Sequence, residues 1–176
     1  MPYERDRVIV GVSGSPTGLW ALQRSAREAR RDGRALIAVL AWEPPGGEGL
    51  YRRAPCPPLA AESRKKAAER LDVLLNEAFG GHPPGVRTEL RTPRGEPGWV
   101  LCALADRPDD LLVVGGRRCL ARTWRGRVTR QVLAGARCPV LVAPAPLVPR
   151  EVSRQLRRAE PADFALRPGH RTGGTA

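Results

Sequence analysis

The sequence predicts an α/β protein, an open five-stranded parallel sheet with helices on both faces. Short apolar, β-branched runs recur at residues 7–12, 111–114 and 139–143, as strands covered on both faces require. Segments of helical period separate the strands, the order that produces right-handed parallel crossovers. Glycine or proline punctuates most of the junctions.

Each element follows in order. Residues 7–12 form the first strand, and 13–17 turn it into a helix. Leu19, Leu22, Ala26 and Ala29 recur there at helical spacing until Gly33 stops it. Residues 35–42 form the second strand. Pro and Gly crowd 43–58, which reads as loop. A long helix occupies 60–79, with Ala67, Ala68, Leu71, Leu74, Leu75 and Ala78 on its buried side, and 80–85 breaks it. Residues 86–92 alternate as an edge strand would. Pro97 fits the first turn of a helix that buries Val100, Ala103 and Leu104 and ends at Pro108. After the strand at 111–114, Gly115 and Gly116 are expected to turn the chain. Val128, Val132 and Ala136 mark the last helix, and 139–143 the last strand.

The chain has 176 residues, enough for one domain, which is expected to span 1–146. Residues 147–176 lack a periodic apolar face and read as a basic, disordered tail. Formal net charge is +12, and 28 of the 30 basic residues are arginine. Such an excess favours anionic partners; a general replacement of lysine by arginine is the bland account of the same numbers. Cys56, Cys102, Cys119 and Cys138 are widely spaced, with only His82 and His170 to join them, so no zinc site is expected. Cys102 and Cys138 read as small core residues. Cys119 lies among arginines, which lower a thiol pKa. The charged start and the lack of any apolar run near ~20 residues lead us to expect a cytoplasmic protein with no membrane partner.

The strand at 111–114 leads through a Gly/Arg segment into a helix. A glycine-rich loop at a helix N-terminus, at the carboxyl edge of a parallel sheet, is a phosphate cradle in outline. Together with this segment, the VIVGVSGS opening, the RGEPGWVLCALADRPDDLLVVG stretch and the GARCPVLVAP ending resemble the universal stress protein family. The resemblance spans roughly residues 6–144 and implies a Rossmann-like fold of the adenine nucleotide alpha hydrolase-like kind. Nucleotide-binding members carry G-x-x-G-x9-G-[ST] after the fourth strand. Here Gly115 matches the first position, Arg118 stands at the second, the loop runs two residues short to Gly126, and Arg127 stands at the Ser/Thr position. Val128 and Thr129 match the residues that commonly come next in those members. Ser13 replaces the family's first-strand Asp, and Ala41 aligns with the position near adenine.

The resemblance therefore implies a nucleotide site with Gly11, Val12, Ser13 and Ala41 on the base and ribose side. Gly115, Arg117, Arg118, Gly126, Arg127, Val128 and Thr129 would meet phosphate. ATP is the implied cofactor; the departures from the motif leave open ordinary ATP binding, a weak or altered anion site, or a purely structural vestige. Arg118 cannot supply the close backbone approach of a glycine, though its guanidinium reaches phosphate from further off. Arg127 removes a hydroxyl, and Ser13 a carboxylate. The helix N-terminus still offers an anion about 0.3–1 kcal/mol. The resemblance also implies a homodimer through the last strand, whose edge groups invite pairing.

Catalysis is not expected. Gly11-Val12-Ser13-Gly14-Ser15 lacks the last glycine of a nucleophile elbow. Gly11, Gly14 and Gly18 do not make G-x-G-x-x-G, and carboxylates near the strand ends are few. The function expected is a binding and signalling module. The alternative is a scaffold for polyanions or nucleic acid, using the tail and the six arginines between Arg117 and Arg130. Trp124, among them, reads as packing rather than as base stacking. Truncation after Pro146 should leave the melting temperature within a few degrees; a large loss of cooperativity in calorimetry would contradict a dispensable tail.

Overall fold

The computed structural model describes residues 6–118 and 124–144, with backbone alone at 117, 118, 124 and 125. The expected tail at 147–176, Cys119 and Arg122 lie outside the described residues. The chain runs β1 (Arg7–Gly11), α1 (Pro16–Asp32), β2 (Ala35–Val39), α2 (Gly47–Arg53), α3 (Pro57–Phe79), β3 (Thr88–Arg91), α4 (Pro97–Leu104), β4 (Leu111–Arg118), β5 (Trp124–Arg125), α5 (Arg127–Gly135) and β6 (Val140–Pro144). Five strands are parallel, in the order β3-β2-β1-β4-β6. The two-residue β5 pairs antiparallel with the end of β4.

Strand periodicity sorts the core into two layers. Val8, Val10, Leu36, Ala38 and Val113 face one side with Ala21 and Leu22 of α1 and Leu71, Leu74 and Leu75 of α3. Ile9, Ile37, Val39, Leu112 and Val114 face the other, with Leu101 of α4 and Val132 of α5. Both faces of the central strands are therefore dry, which is why they read as unbroken apolar runs. Each fully buried leucine contributes about 1.5–3 kcal/mol relative to exposure.

Several local expectations need correction. The segment 43–58 contains α2, which buries none of its own residues. It forms because Arg94 clasps it: Arg94 donates to both Glu48 oxygens at 2.6 and 2.9 Å and stacks 4.2 Å from the Tyr51 ring centroid. Gly115 and Gly116 do not turn the chain. β4 continues through them, because Gly115 pairs with Ala143, Gly116 with Pro144, and Arg117 and Arg118 with β5. Ala68 and Ala103 are exposed. In α4 the buried positions are Gly98 and Leu101, since Leu101 lies over Gly11 at the end of β1.

One ion pair ties the start of β1 to the approach to β4. Asp110 is fully buried. It accepts from Arg7 Nε at 2.8 Å and Nη2 at 2.5 Å, and from the Arg107 backbone N–H at 3.2 Å. Arg7 also donates to the Leu104 carbonyl at 3.2 Å and to Asp106 at 2.7 Å. The contact fixes the register in which Val8 lies opposite Leu111. Asp110→Ala should cost about 1.5–3 kcal/mol in denaturant unfolding, because it removes the charged acceptor of two Arg7 hydrogen bonds and leaves Arg7 with Asp106 and the Leu104 carbonyl alone; a loss below ~1 kcal/mol would contradict the role given to this pair. The hydrogen bond from Arg7 holds the Asp106 carboxyl below the usual carboxylate range. Its folded-state pKa is depressed, so its contribution is present above the unfolded value and fades as pH falls through the folded one. NMR titration should give Asp106 a midpoint below that of an Asp106 peptide, and Arg7→Gln should restore it.

Candidate nucleotide-binding cleft

The site is made by two close backbone approaches at the carboxyl edge. A Cβ at Gly115 would stand 2.6 Å from the Thr17 carbonyl oxygen, so β4 can lie against the first turn of α1 only if residue 115 has no side chain. A Cβ at Gly11 would stand 2.7 Å from Leu101 Cδ1, so α4 closes directly over the end of β1. The Val12 N–H donates to the Val39 carbonyl at 2.8 Å and keeps β1 beside β2 past the strand proper. Ser15 then caps α1, its hydroxyl accepting from the Gly18 N–H at 3.1 Å. The Ser13 and Ser15 hydroxyls share a 3.0 Å hydrogen bond, as do those of Ser15 and Thr17.

These contacts leave a cleft of about 240 Å³ between the ends of β1, β2 and β4 and the helices α4 and α5. It brings together six residues expected from sequence: Gly11, Val12, Ser13, Ala41, Gly115 and Val128. Val39, Leu40, Pro97, Leu101 and Val114 complete the lining and were not anticipated. The strand residues among them could have been read from the rule that ligands sit at carboxyl ends. Leu101 had no such signal. Ser13 bears the one polar side chain of the lining, so the walls suit a flat apolar body touched by few hydrogen bonds. No general acid or base lines the cleft, and no metal-binding cluster occurs among the described residues.

The other five expected residues lie outside this lining. Gly126 is the N-cap of α5 with φ of 122°, a left-handed value that favours glycine. It caps without a side-chain hydrogen bond, so early α5 amides keep their orphan character. Thr129 is turned inward: it is buried, and its hydroxyl donates to the Gly115 carbonyl at 3.2 Å. It joins α5 to β4 instead of presenting its hydroxyl outward. Arg127 is paired with Glu96 at 2.9 Å. Glu96, at the N-cap of α4, also accepts from Gln131. Sequence reasoning found no acidic residue among these arginines, because Glu96 is brought in by the packing of α4 on α5, 31 positions from Arg127. Arg117 and Arg118 belong to the β4–β5 ladder beyond the cleft.

Burial pushes up the thiol pKa of Cys102 and of Cys138, both packed against the core layer of α4 and α5. Among the described residues no helix is long and apolar enough to cross a membrane. Gly115→Ala should destabilise the fold by about 1–3 kcal/mol, since its clash is with backbone. The change at Gly11, which meets only the end of a flexible leucine, should cost less. Chemical denaturation of both variants checks the order, and equal losses would contradict the packing described.

Residues 4–144 match the family model of the universal stress protein family. Solved structures agree in fold. A universal stress protein in complex with cAMP is 24% identical, covering 81% of this chain and 98% of its own, with a TM-score of 0.51. The universal stress protein from Archaeoglobus fulgidus in complex with dAMP is 19% identical, covering 81% and 99%, with a TM-score of 0.50. Universal stress protein UspA from Lactobacillus plantarum is 20% identical, covering 81% and 99%, with a TM-score of 0.55. No curated protein sequence matches significantly. With its cleft at the carboxyl edge of a five-stranded parallel sheet and the family model matched from residue 4 to residue 144, the chain belongs to the universal stress protein family.

Proposed function

We propose that the protein is a cytoplasmic, non-enzymatic binding and signalling module that takes an adenine nucleotide weakly. The observation that carries this reading is the apolar cleft, whose walls include Ala41 and Val128 and whose one polar side chain is Ser13. Ligand pockets commonly enclose about 300–1,000 Å³, so the smaller volume here suits base and ribose, with phosphate left outside against the first turn of α5. Two solved members of the family hold cAMP and dAMP, which supports the ligand class.

Affinity is low for three reasons that can be named. Ser13 offers a ribose a hydroxyl where a carboxylate would accept more strongly. Arg127 spends its charge on Glu96. The helix N-terminus alone contributes about 0.3–1 kcal/mol to an anion. The lack of any acid or base in the lining supports a role in binding rather than turnover.

Restoring two loop residues together with Arg118→Gly, Arg127→Ser and Ser13→Asp should tighten ATP at least tenfold, about 1.4 kcal/mol. Calorimetry on both proteins decides it. Tight binding by the natural protein would contradict the weakness argued here, and no binding by either would overturn the nucleotide reading. The net charge of +12 favours a second reading, the polyanion scaffold; a steep fall of DNA affinity with salt, without saturable ATP binding, would select it.

The module is a homodimer through β6. This strand pairs only with β4 among the described residues, and Val140, Leu141 and Val142 are half-buried on it. Such an edge invites a second copy. Leu141→Lys should lower the mass seen by light scattering or impair folding; a natural protein that stays monomeric at high concentration contradicts the dimer.

A further inference from the structure

A further concavity lies away from the cleft, toward the opposite edge of the sheet. It encloses about 290 Å³ between the second half of α1, the end of α3 and the loop before β3. Phe79 and Val86 give it a half-buried apolar floor, and Pro83 and Pro84 stiffen its rim. Gln23 of α1 donates to the Ala78 carbonyl at 3.3 Å and ties the two helices together beneath it. A second concavity of about 200 Å³ adjoins it through Arg30 and carries Arg34 and Arg87.

Arg27 and Arg30 thus border the apolar floor, Arg34 and Arg87 the adjoining concavity, and no aspartate or glutamate lines either. Arg30 makes no ion pair among the described residues. Arg27 stacks on Trp20 at 5.4 Å, which orders its stem but leaves its charge unneutralised. Arg34, in the adjoining concavity, is ion-paired with Asp32 at 3.6 Å and donates to the Asp109 carbonyl at 3.0 Å, so its charge is already engaged. Basic residues at the end of α1 also answer its dipole. Arg31 lies outside both concavities, whereas Arg27 and Arg30, though exposed, line the first.

We propose that this face binds a small amphiphilic anion, a phosphate ester or carboxylate on an aromatic or aliphatic body. The body lies on Phe79 and Val86, and the anionic group sits between Arg27 and Arg30, whose planar guanidinia suit oxyanions of either kind. The site is separate from the nucleotide cleft and shares no lining residue with it. One rigid element passes both, since α1 begins beside the cleft and, at 17 residues, runs about 25 Å to this face. The proposal does not rest on the nucleotide reading.

The test titrates the full chain with 1-naphthyl phosphate and with 1-naphthoate, following backbone amides by NMR and heat by calorimetry, with inorganic phosphate as the charge-only control. Shifts are expected at Gln23, Arg30, Phe79 and Val86, with at least one naphthyl probe binding more tightly than inorganic phosphate. Arg30→Ala, at an exposed position that should not disturb folding, is expected to weaken that probe about tenfold. Arg31→Ala, the same loss of charge just outside, is expected to leave it within about twofold. Equal losses in the two variants would reduce the effect to net charge and overturn the site. So would shifts at Gly11, Ser13 and Gly115 in place of these, or no preference over inorganic phosphate.

Discussion

Strands β1 and β4 are covered on both faces and paired on both sides, and the rest of the molecule follows from that constraint. Their side chains must be apolar throughout, since Val8, Ile9, Val10, Leu112 and Val113 are all buried. Polar chemistry can enter only where these strands end. At the amino end a single buried carboxylate, Asp110, is admitted because Arg7 and the Arg107 amide satisfy it. At the carboxyl end Gly11 and Gly115 let helices close over the strands, and the space left between those closures is the cleft. The same covering that stabilises the sheet thus decides where a ligand can lie.

The charge balance at the cleft differs from the charge balance of the chain. A net charge of +12 suggests an abundance of anion ligands. Locally, Glu96 pairs with Arg127 beside the uncapped start of α5. Thr129 commits its hydroxyl to the Gly115 carbonyl. The groups left to meet an anion at the start of α5 would then be chiefly backbone amides, whose contribution is modest. In contrast, Arg27 and Arg30 at the far end of α1 have no carboxylate lining the concavity beside them. Position relative to acidic neighbours, rather than the number of arginines, separates the two regions.

The order of elements and the covering of the sheet on both faces were legible in the sequence, because burial on both faces leaves continuous apolar runs and amphipathic helices leave a clear period. Gly33 and Gly80 stop their helices in the left-handed conformation, where the sequence reading put the breaks. What escaped depended on partners distant in sequence. The helix α2 has no apolar face to betray it and is held by Arg94, 46 positions from Glu48. The extension of β4 through Gly115 and Gly116 depends on pairing with β6, which local glycine content argues against. Leu101, not Ala103, faces the core because Gly11 makes room for it. At the cleft, the family pattern pointed to Gly11, Val12, Ser13, Ala41, Gly115 and Val128, but Val39, Leu40, Pro97, Leu101 and Val114, and the hold of Glu96 on Arg127, required the packing of the helices on the sheet.

A sheet covered in this way leaves an apolar cleft at its carboxyl edge, and the central proposal is that an adenine nucleotide occupies it. Amide chemical shifts of the natural protein during titration with AMP are the decisive observation, because they locate weak binding residue by residue. Saturable shifts are expected at Gly11, Ser13, Ala41 and Val128. Shifts spread over exposed arginines without saturation, or none at the four cleft residues, would contradict a nucleotide site in this cleft.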